Sequence, residues 1–440
     1  MRHTTTTTLL ALAFLWLPAA PPAGAEWRPL GLSGHHVSRV CAHGGFLYAC
    51  TTDGLHRLSI ADPDTFWTHS GFAGESVLDL IGLGSQTLLV AKALTMTPGD
   101  TVSLFRSING GASWQPFQNG FGAGSGSSGR QARRLLAMAG SPGTILATSG
   151  RIEKSTDAGL SWRVVMPQAA VLNAIEQSPA NPGLLWAGGE TAIFWPYALK
   201  SSDAGESWKQ IDLFAGGDNA VDAIAASPVD TSVVYLGMEG RVMKSENSGL
   251  SWWTMTSPDP TMYTFGMAIR PYTPLKIYAA GASFTPDPRG VVFHRSLDGG
   301  LSWRPFAYPA GAGNGVYHLT LRMDGAQETV LLATGNGVFS YGEVVTGAPA
   351  SEGPGTTALT CSPNPFTRGT AFEFTLAASE DVSFQILDVH GRVVATLVRS
   401  VLAPGPHRIS WDAGAAAAGI YFARFQSAGH ARSAKLLHLR

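Results

Sequence analysis

Four carboxylates in this 440-residue sequence could carry out acid–base chemistry. Glu190 and Glu239 lie in corresponding connecting segments of two successive stretches of the chain, whereas Asp79 and Asp222 lie near the start of short apolar segments. Hydrolysis of a glycosidic bond uses two carboxyl groups at a set separation, one as the acid and the other as the base or nucleophile. If the protein is an enzyme, these four residues are its candidate catalytic groups, and the reaction would be glycoside hydrolysis.

Another acidic position recurs in five copies of a nine-residue segment, which we call the box. The boxes run from Arg106, Lys154, Lys200, Lys244 and Arg295 to Trp114, Trp162, Trp208, Trp252 and Trp303. Their acidic position holds Asp157, Asp203 and Asp298 in three copies, but Asn109 and Asn247 in the other two. An amide keeps the hydrogen bonds of a turn-capping carboxylate but cannot act as a general acid. The repeated residue is therefore predicted to be structural, as is the Trp that ends each box, which would pack between repeats.

The spacing of the boxes indicates the architecture. Successive box Trp residues are 44 to 51 residues apart, a period typical of a four-stranded propeller blade or a helical-hairpin repeat. Short alternating apolar segments punctuated by Gly and Pro favour strands over helices. Each repeat therefore predicts three strands, a box turn and a fourth strand.

Counting the repeats predicts seven blades. Trp67 ends a degenerate sixth box, and residues 316–341 supply three strands without a Trp-bearing fourth. The missing strand is predicted at the other end of the chain, because "EWRPLGL" (26–32) matches "SWRPFAY" (302–308). We therefore expect an all-β fold, a seven-bladed β-propeller over 26–345 closed by strand 26–32, followed by a small Ig-like sandwich. Closing the ring in this way removes free sheet edges.

The box pattern Ser-x-Asp-x-Gly-x-x-Trp resembles the Asp-box of the bacterial neuraminidase repeat, over roughly residues 27–342. The resemblance implies a propeller like those of sialidases, sortilin, xyloglucan-cleaving hydrolases and photosystem II assembly factors. It implies no particular activity, because a fold hosts many functions. The Arg-Ile-Pro motif expected of sialidases is missing from the sequence, and xyloglucan hydrolases use two propellers where this chain has one.

In the predicted propeller, the first strand of each blade lines the central channel. The polar residues near the starts of these strands are Arg39, Asp79, Arg134, Asn173, Asp222 and His318. This mixed ring suits a polar ligand, and it equally suits a water-filled channel. Trp195 and Tyr197, in the long connection 189–198, would either stack on a sugar or a protein partner or pack back onto the neighbouring blade.

Composition and the N-terminus indicate export. Thirty basic and 31 acidic residues, with no basic stripe, argue against a nucleic-acid partner. Residues 1–25 combine a basic start, an apolar run and Ala-Gly-Ala, as a signal peptide does, and no later segment suits a membrane helix. Cys41 and Cys50 flank a predicted hairpin and are expected either to form a disulfide or to remain two buried thiols. No cofactor or metal site is expected, and His35-His36 is predicted to be a surface loop.

The C-terminal segment forms a separate module. A Gly/Pro/Ser-rich linker over 346–358 is followed by alternating segments over 359–440 that predict the Ig-like sandwich. The module resembles the C-terminal sorting domain of type IX secretion substrates and the Ig-like domain of flagellar hook-capping proteins. The matching motifs are Asn364–Phe366, Asp388–Val393, Trp411-Asp412, Gly419–Phe422 and Lys435–Leu437. The sorting resemblance implies contact with the secretion machinery and a place outside the outer membrane; a generic adhesive tail is the alternative.

These observations predict a secreted or surface-bound bacterial propeller that acts as a binding or interaction scaffold for a glycan or protein ligand. The alternative is a carbohydrate-active glycoside hydrolase, sialidase-like or xyloglucanase-like. The two differ in whether carboxylates converge at one mouth of the channel.

Overall fold

The computed structural model describes residues 25–439 except 62–65, 96–99, 123–130, 168–170, 192, 194, 214–219, 256–259, 272, 284–290, 307–314, 325–326, 344–359, 377–378, 389–391, 415 and 428–429. Residues 1–24 of the predicted signal peptide and the whole predicted linker lie outside this part of the chain. All regular secondary structure in the described residues is β-strand.

The first 28 strands form seven four-stranded antiparallel sheets among the described residues. Their bounds in chain order are β1 (Ala25–Gly31), β2 (Val37–His43), β3 (Phe46–Thr51), β4 (Gly54–Ser59), β5 (Thr68–Gly71), β6 (Val77–Gly82), β7 (Leu88–Lys92), β8 (Leu104–Ser107), β9 (Gln115–Pro116), β10 (Arg134–Ala137), β11 (Ile145–Thr148), β12 (Ile152–Ser155), β13 (Arg163–Met166), β14 (Val171–Gln177), β15 (Leu185–Glu190), β16 (Pro196–Ser201), β17 (Lys209–Ile211), β18 (Val221–Ala226), β19 (Val234–Met238), β20 (Arg241–Ser245), β21 (Trp253–Thr254), β22 (Met262–Ile269), β23 (Ile277–Ser283), β24 (Val291–Ser296), β25 (Arg304–Pro305), β26 (Val316–Asp324), β27 (Gln327–Thr334) and β28 (Gly337–Glu343).

These sheets are the blades of a seven-bladed β-propeller. Blade 1 is β2–β5, and each following set of four strands makes blades 2 to 6. The first strands of the blades, β2, β6, β10, β14, β18, β22 and β26, contact one another in a closed ring, so they surround the central channel. Blade 7 takes β26, β27 and β28 from the end of the propeller and β1 from its beginning.

The blades are joined by apolar clusters that each draw on neighbouring sheets. Trp27 of β1 packs against Tyr341 of its own blade, with ring centroids 4.6 Å apart, and against Phe293 of blade 6 at 5.3 Å. Tyr278 and Leu332 belong to the same cluster. Apolar burial of this kind is the main favourable term in folding, so the inter-blade clusters supply most of the stability of the ring.

Each box is a tight turn between the third and fourth strands of a blade. In blade 4 the Asp203 carboxylate accepts hydrogen bonds from the Ser201 hydroxyl at 2.7 Å and from the Ser207 backbone N–H at 3.0 Å. Gly205 has φ +82° and its N–H donates to the Ser201 hydroxyl at 2.9 Å. The residue before it, Ala204, also has a positive φ of 58°, which sequence analysis did not anticipate. These contacts are local turn contacts, and Asn109 and Asn247 accept the equivalent backbone hydrogen bonds in their boxes.

The thiols of Cys41 and Cys50 are free, so the disulfide alternative was wrong. On the paired strands β2 and β3, Cys41 lies opposite Tyr48 and Cys50 lies opposite Arg39. Two residues in this diagonal relation have Cα atoms about 7–8 Å apart, beyond the usual reach of a disulfide. Burial raises the pKa of Cys41 to about 12, so the thiol stays protonated.

The last seven strands form a two-sheet sandwich. Their bounds are β29 (Thr360–Ser362), β30 (Gly369–Leu376), β31 (Glu380–Asp388), β32 (Val393–Leu402), β33 (Gly405–Asp412), β34 (Gly419–Ser427) and β35 (His430–His438). One sheet has the order β29-β30-β33 and the other β32-β31-β34-β35. Phe372, Phe384, Trp411 and Tyr421 fill the space between the sheets. Phe366 joins the two ends of the module, because its N–H donates to Leu437 O at 3.0 Å.

Replacing Trp27 with Ala should destabilise the propeller by about 3–5 kcal/mol, because it removes a large ring packed between blades 6 and 7. Thermal unfolding measures the effect. Trp253→Ala is the matched control: it also lies on an outer strand but is 40% exposed, and its loss should change stability by less than about 1 kcal/mol. Equal melting temperatures for the two variants would show that Trp27 does not hold the ring together.

Asp203→Ala should lower stability by about 1 kcal/mol at pH 7, because the turn N–H and hydroxyl groups lose their acceptor. Asp203→Asn should lower it less, because the amide oxygen still accepts the turn N–H, as Asn109 and Asn247 do. Hydrogen bonds from Ser207 hold the pKa of Asp203 at about 2, below its usual value, so its charged form stabilises the fold above about pH 4. That contribution is lost as pH falls towards 2. Acid unfolding should therefore show a weaker pH dependence between 4 and 2 for Asp203→Asn than for the unaltered protein.

Candidate ligand site at the channel mouth

Six of the seven inner strands carry a β-bulge at the same level of the channel. One residue of each inner strand is left without a partner on the second strand: Ser38, Leu78, Asn173, Asp222, Phe265 and Tyr317. A bulge re-aims a side chain that strict alternation would point elsewhere. In blades 4 to 7 the bulged residue and the next one therefore both line the channel.

On one side of the channel, polar residues connect neighbouring blades. The Arg39 Nε of blade 1 lies 2.7 Å from the Asp79 Oδ1 of blade 2. The Asp79 carboxylate is fully buried and also accepts backbone N–H groups from Leu80 at 2.8 Å and from Leu135 of blade 3 at 2.9 Å. The oxygens of Asp79 are therefore occupied by contacts that hold three blades together. Asp79 is poorly placed to act as a proton donor or nucleophile.

Further hydrogen bonds connect neighbouring blades on both sides of the Arg39–Asp79 pair. The Arg134 Nε donates to the Asn173 carbonyl at 2.8 Å, and the Asn173 Nδ2 donates to Asp222 Oδ1 at 2.9 Å. The backbone N–H of Val40 reaches the His318 Nδ1 at 3.5 Å. Burial lowers the pKa of Arg134 to about 10 and lowers that of His318 well below its usual value, so His318 is neutral at pH 7. The six polar residues selected from the sequence thus lie in one network that runs from blade 7 to blade 5.

The other side of the channel is open because small residues follow the bulges. Ala174, Ala223 and Gly266 leave room for a cavity of about 420 Å³. Arg39, Arg134, Asp222 and His318 are among its lining residues. The cavity joins the polar residues to the apolar surface of blades 4 to 7.

Glu176 also lines this cavity, and sequence analysis missed it. Burial raises the pKa of Glu176 to about 7, against the attraction of Arg39. The available signal was a single acidic residue inside the inner strand "VLNAIEQ". A carboxyl group in this state exchanges its proton near neutral pH and can donate or accept a hydrogen bond.

Three carboxylates converge near one mouth of the channel, where the inner strands begin; we call them the mouth carboxylates. They are Asp222 on β18, Glu190 at the end of β15 and Glu239, which follows β19. The pKa of Asp222 is raised to about 6, chiefly by burial and further by Glu190 and Glu239, against the Asn173 hydrogen bond and the charge of Arg134. Of the four catalytic candidates, the structure brings these three within electrostatic reach and leaves Asp79 in the inter-blade network.

Aromatic rings lie beside the mouth carboxylates in an arrangement that we call the ring ladder. Tyr263 and Phe265 on β22 are nearly parallel, with centroids 5.7 Å apart and planes at 3°. Phe265 and Tyr317 of blade 7 are also 5.7 Å apart, at 18°. His36 then lies 4.2 Å from Tyr317. Glu239 forms a β-bridge with Tyr263, and burial together with Glu239 and Asp222 raises the pKa of the Tyr263 hydroxyl.

Sequence analysis did not select these rings. Tyr263, Phe265 and Tyr317 lie on strands whose sequences resemble those of ordinary core strands. The bulges that turn Phe265 and Tyr317 into the channel leave no sign in the alternation of apolar and polar residues. Of the aromatic pair that it did select, Trp195 is 56% exposed, whereas Tyr197 packs into the cluster between blades 3 and 4. Phe194, directly before Trp195, lies outside the described residues.

Residues 361–438 match the family model of a secretion system C-terminal sorting domain. The C-terminal sandwich is therefore a sorting domain of type IX secretion, which implies interaction with that machinery and a secreted or surface-attached protein. No helix that could cross a membrane is found in the part of the chain that the structure describes. A search of curated proteins found no match to the sequence.

Solved structures resemble the chain at low sequence identity. The GH74 xyloglucanase from Xanthomonas campestris has a TM-score of 0.56 at 19% identity, over 80% of this chain and 59% of that one. An ancestral GH74 enzyme has a TM-score of 0.48 at 15% identity, over 80% and 61%. The extracellular domain of a putative one component system from B. thetaiotaomicron has 0.48 at 12%, over 94% and 59%. This chain thus spans about three fifths of their lengths, and the xyloglucanase likeness shows the propeller fold alone.

Proposed function

We propose that this exported propeller binds a saccharide at the channel mouth, between the ring ladder and the mouth carboxylates. The observation that carries the proposal is the run of three nearly parallel rings, Tyr263, Phe265 and Tyr317, directly beside Asp222 and Glu239. Ligand sites combine apolar and aromatic walls with a few polar groups that fix orientation, and this mouth has both.

The chemistry of the two groups of residues suits a sugar. The C–H faces of a pyranose ring pack on aromatic side chains, which bury a large area at a small cost in conformational entropy. Its hydroxyl groups donate hydrogen bonds to carboxylate oxygens. Glu190 and Glu239 offer such acceptors at the same end of the channel where the rings lie.

The cavity below the mouth is large enough to hold part of the ligand. Its volume of about 420 Å³ falls within the usual 300–1,000 Å³ of small-molecule sites. Arg39 and Arg134 line it and supply hydrogen-bond donors opposite the small residues of blades 4 to 6. Trp195 adds an exposed ring on the connection that follows Glu190 and would extend the contact beyond the mouth.

Binding is tested by calorimetry and a glycan array with the full chain, with xyloglucan as the first polysaccharide because the similar solved propeller is a xyloglucanase. Tyr263→Ala should weaken the affinity for a bound glycan by about tenfold or more, because loss of a stacking ring costs at least about 1.4 kcal/mol. Trp195→Ala should weaken it less, and mainly for longer chains.

Trp253→Ala is the control for the binding test, because this exposed ring lies on the outermost strand of blade 5, away from the channel. A glycan that binds equally well to the unaltered protein and to both mouth variants would place the site elsewhere. If no member of the array binds, the saccharide proposal fails and a protein ligand takes its place.

Glycoside hydrolysis is the second candidate, favoured by the raised pKa of Asp222 next to two further carboxylates. A carboxyl group with a pKa near the working pH is suited to act as a general acid. Asp222 would protonate the leaving oxygen, and Glu190 or Glu239 would act as the base or nucleophile. The separation of the two carboxyl groups in a saccharide complex would then decide between retention and inversion.

The hydrolysis candidate predicts a specific pH profile. A general acid must be protonated, so reducing-sugar release should fall as pH rises through about 6, the pKa of Asp222. Asp222→Asn should lower the rate by about 10²–10⁴-fold and leave glycan affinity within a few-fold of the original. A glycan that binds without any release of reducing ends would leave the protein a binding scaffold.

A further inference from the structure

Three residues that are distant in the sequence come together where the chain enters blade 1. His35 precedes β2, Asp53 lies in the turn between β3 and β4, and His56 is the third residue of β4. The His35 Nδ1 lies 3.0 Å from Asp53 Oδ1, and the His56 Nε2 lies 3.9 Å from the same oxygen. One nitrogen or oxygen atom from each residue lies within 4.8 Å of the others.

We propose that His35, Asp53 and His56 bind a divalent transition-metal ion, with zinc the expected occupant. Two imidazoles and a carboxylate form a donor set that zinc prefers, with bond lengths of about 2.0–2.2 Å. Ligand atoms that share a tetrahedral ion at those lengths lie about 3.3 Å apart. The two separations from Asp53 Oδ1, 3.0 and 3.9 Å, lie on either side of that value.

The unpartnered nitrogen of His56 is the second observation that points to a ligand. His56 is only 9% exposed, and within the described part of the chain its Nε2 has no hydrogen-bond partner. Buried polar atoms without partners are rare in folded proteins and destabilise them. A metal ion at this position would satisfy the nitrogen.

The turn that holds Asp53 does not itself need a carboxylate. The Thr51 hydroxyl lies 2.6 Å from Asp53 Oδ1, within hydrogen-bond distance. Two further contacts shape the turn, because the hydroxyl is 2.8 Å from Gly54 O and accepts the Asp53 N–H at 3.3 Å. The matching turn of blade 7 makes the same two contacts, at 2.8 and 3.2 Å, with Asn336 in place of the acid. An amide can therefore occupy this position, so the turn alone does not require the negative charge of Asp53.

The backbone around the cluster is held in place before any metal arrives. The His35 N–H donates to Leu32 O at 3.0 Å, and its carbonyl accepts the Gly337 N–H of blade 7 at 2.9 Å. The next carbonyl, of His36, accepts the Thr52 N–H at 3.2 Å. A site on such a pre-organised frame loses little conformational freedom on binding.

The fourth ligand position has a candidate in His69. This exposed histidine lies opposite His56 on β5, with ring centroids 5.3 Å apart. A water molecule is the alternative. In either case the ion would crosslink the segment that follows the closing strand β1 to the second hairpin of blade 1, and would stabilise the point where the ring of blades closes.

Zinc is titrated into the full chain after treatment with a chelator. We expect one equivalent per chain by calorimetry and elemental analysis, visible cobalt d–d absorption on substitution, and a melting temperature a few degrees higher with excess zinc. Asp53→Asn and His56→Gln should each weaken zinc binding at least tenfold. Metal-free Asp53→Asn should still fold cooperatively, because the matching turn of blade 7 holds an amide.

Asp203→Asn is the charge control, since it removes a carboxylate from a box turn far along the chain and should bind zinc as the unaltered protein does. A stoichiometry near zero overturns the proposal. It is also overturned if the Asp53 and His56 variants bind zinc as tightly as the unaltered protein does. If His69→Gln also weakens binding, the fourth ligand is His69; if not, the fourth position is held by water.

Discussion

The pairing of β1 with β28 is the contact on which the rest of the propeller depends. In the part of the propeller that the structure describes, each apolar cluster joins two neighbouring blades, and the channel exists only while the ring is closed. Ala25 to Gly31 supply the outer strand of blade 7 and carry Trp27 into the cluster that joins blade 7 to blade 6. Every distance at the channel mouth, from the ring ladder to the mouth carboxylates, is fixed by that closure.

Ring closure and the proposed ligand site use separate parts of each blade. The boxes and their Trp residues lie at the outer end of the sheets, where turn hydrogen bonds and apolar packing hold neighbouring blades together. The inner strands contribute the bulged residues. Asp79 is the exception, because it lies on an inner strand but serves the structure by bonding to blades 1 and 3.

The fold could be predicted from the sequence because its signal is repeated. Five boxes, a degenerate sixth and a last incomplete repeat give the blade number, because their spacing stays within a narrow range. The match between 26–32 and 302–308 indicates which strand completes the last blade. The polar ring was found for a similar reason, since Arg39, Asp79 and His318 occupy corresponding positions. Tyr263, Phe265 and Glu176 were missed because bulges and burial, which alternation does not encode, decide where those side chains lie. The His35, Asp53 and His56 cluster has no local motif at all, since the fold assembles it from three separate segments.

The closing pair also sets the order of events in folding. Ala25 pairs with Glu343, so nearly the whole propeller must be synthesised before this contact can form. Contacts between such distant residues form slowly, because the intervening chain loses much entropy when its ends meet. Until the two strands pair, the edges of β1 and of the newly made β28 are free and can recruit strands from other molecules. A secreted chain that stays unfolded, or held by a chaperone, until its C-terminal sorting domain has been made would be protected from this hazard during export.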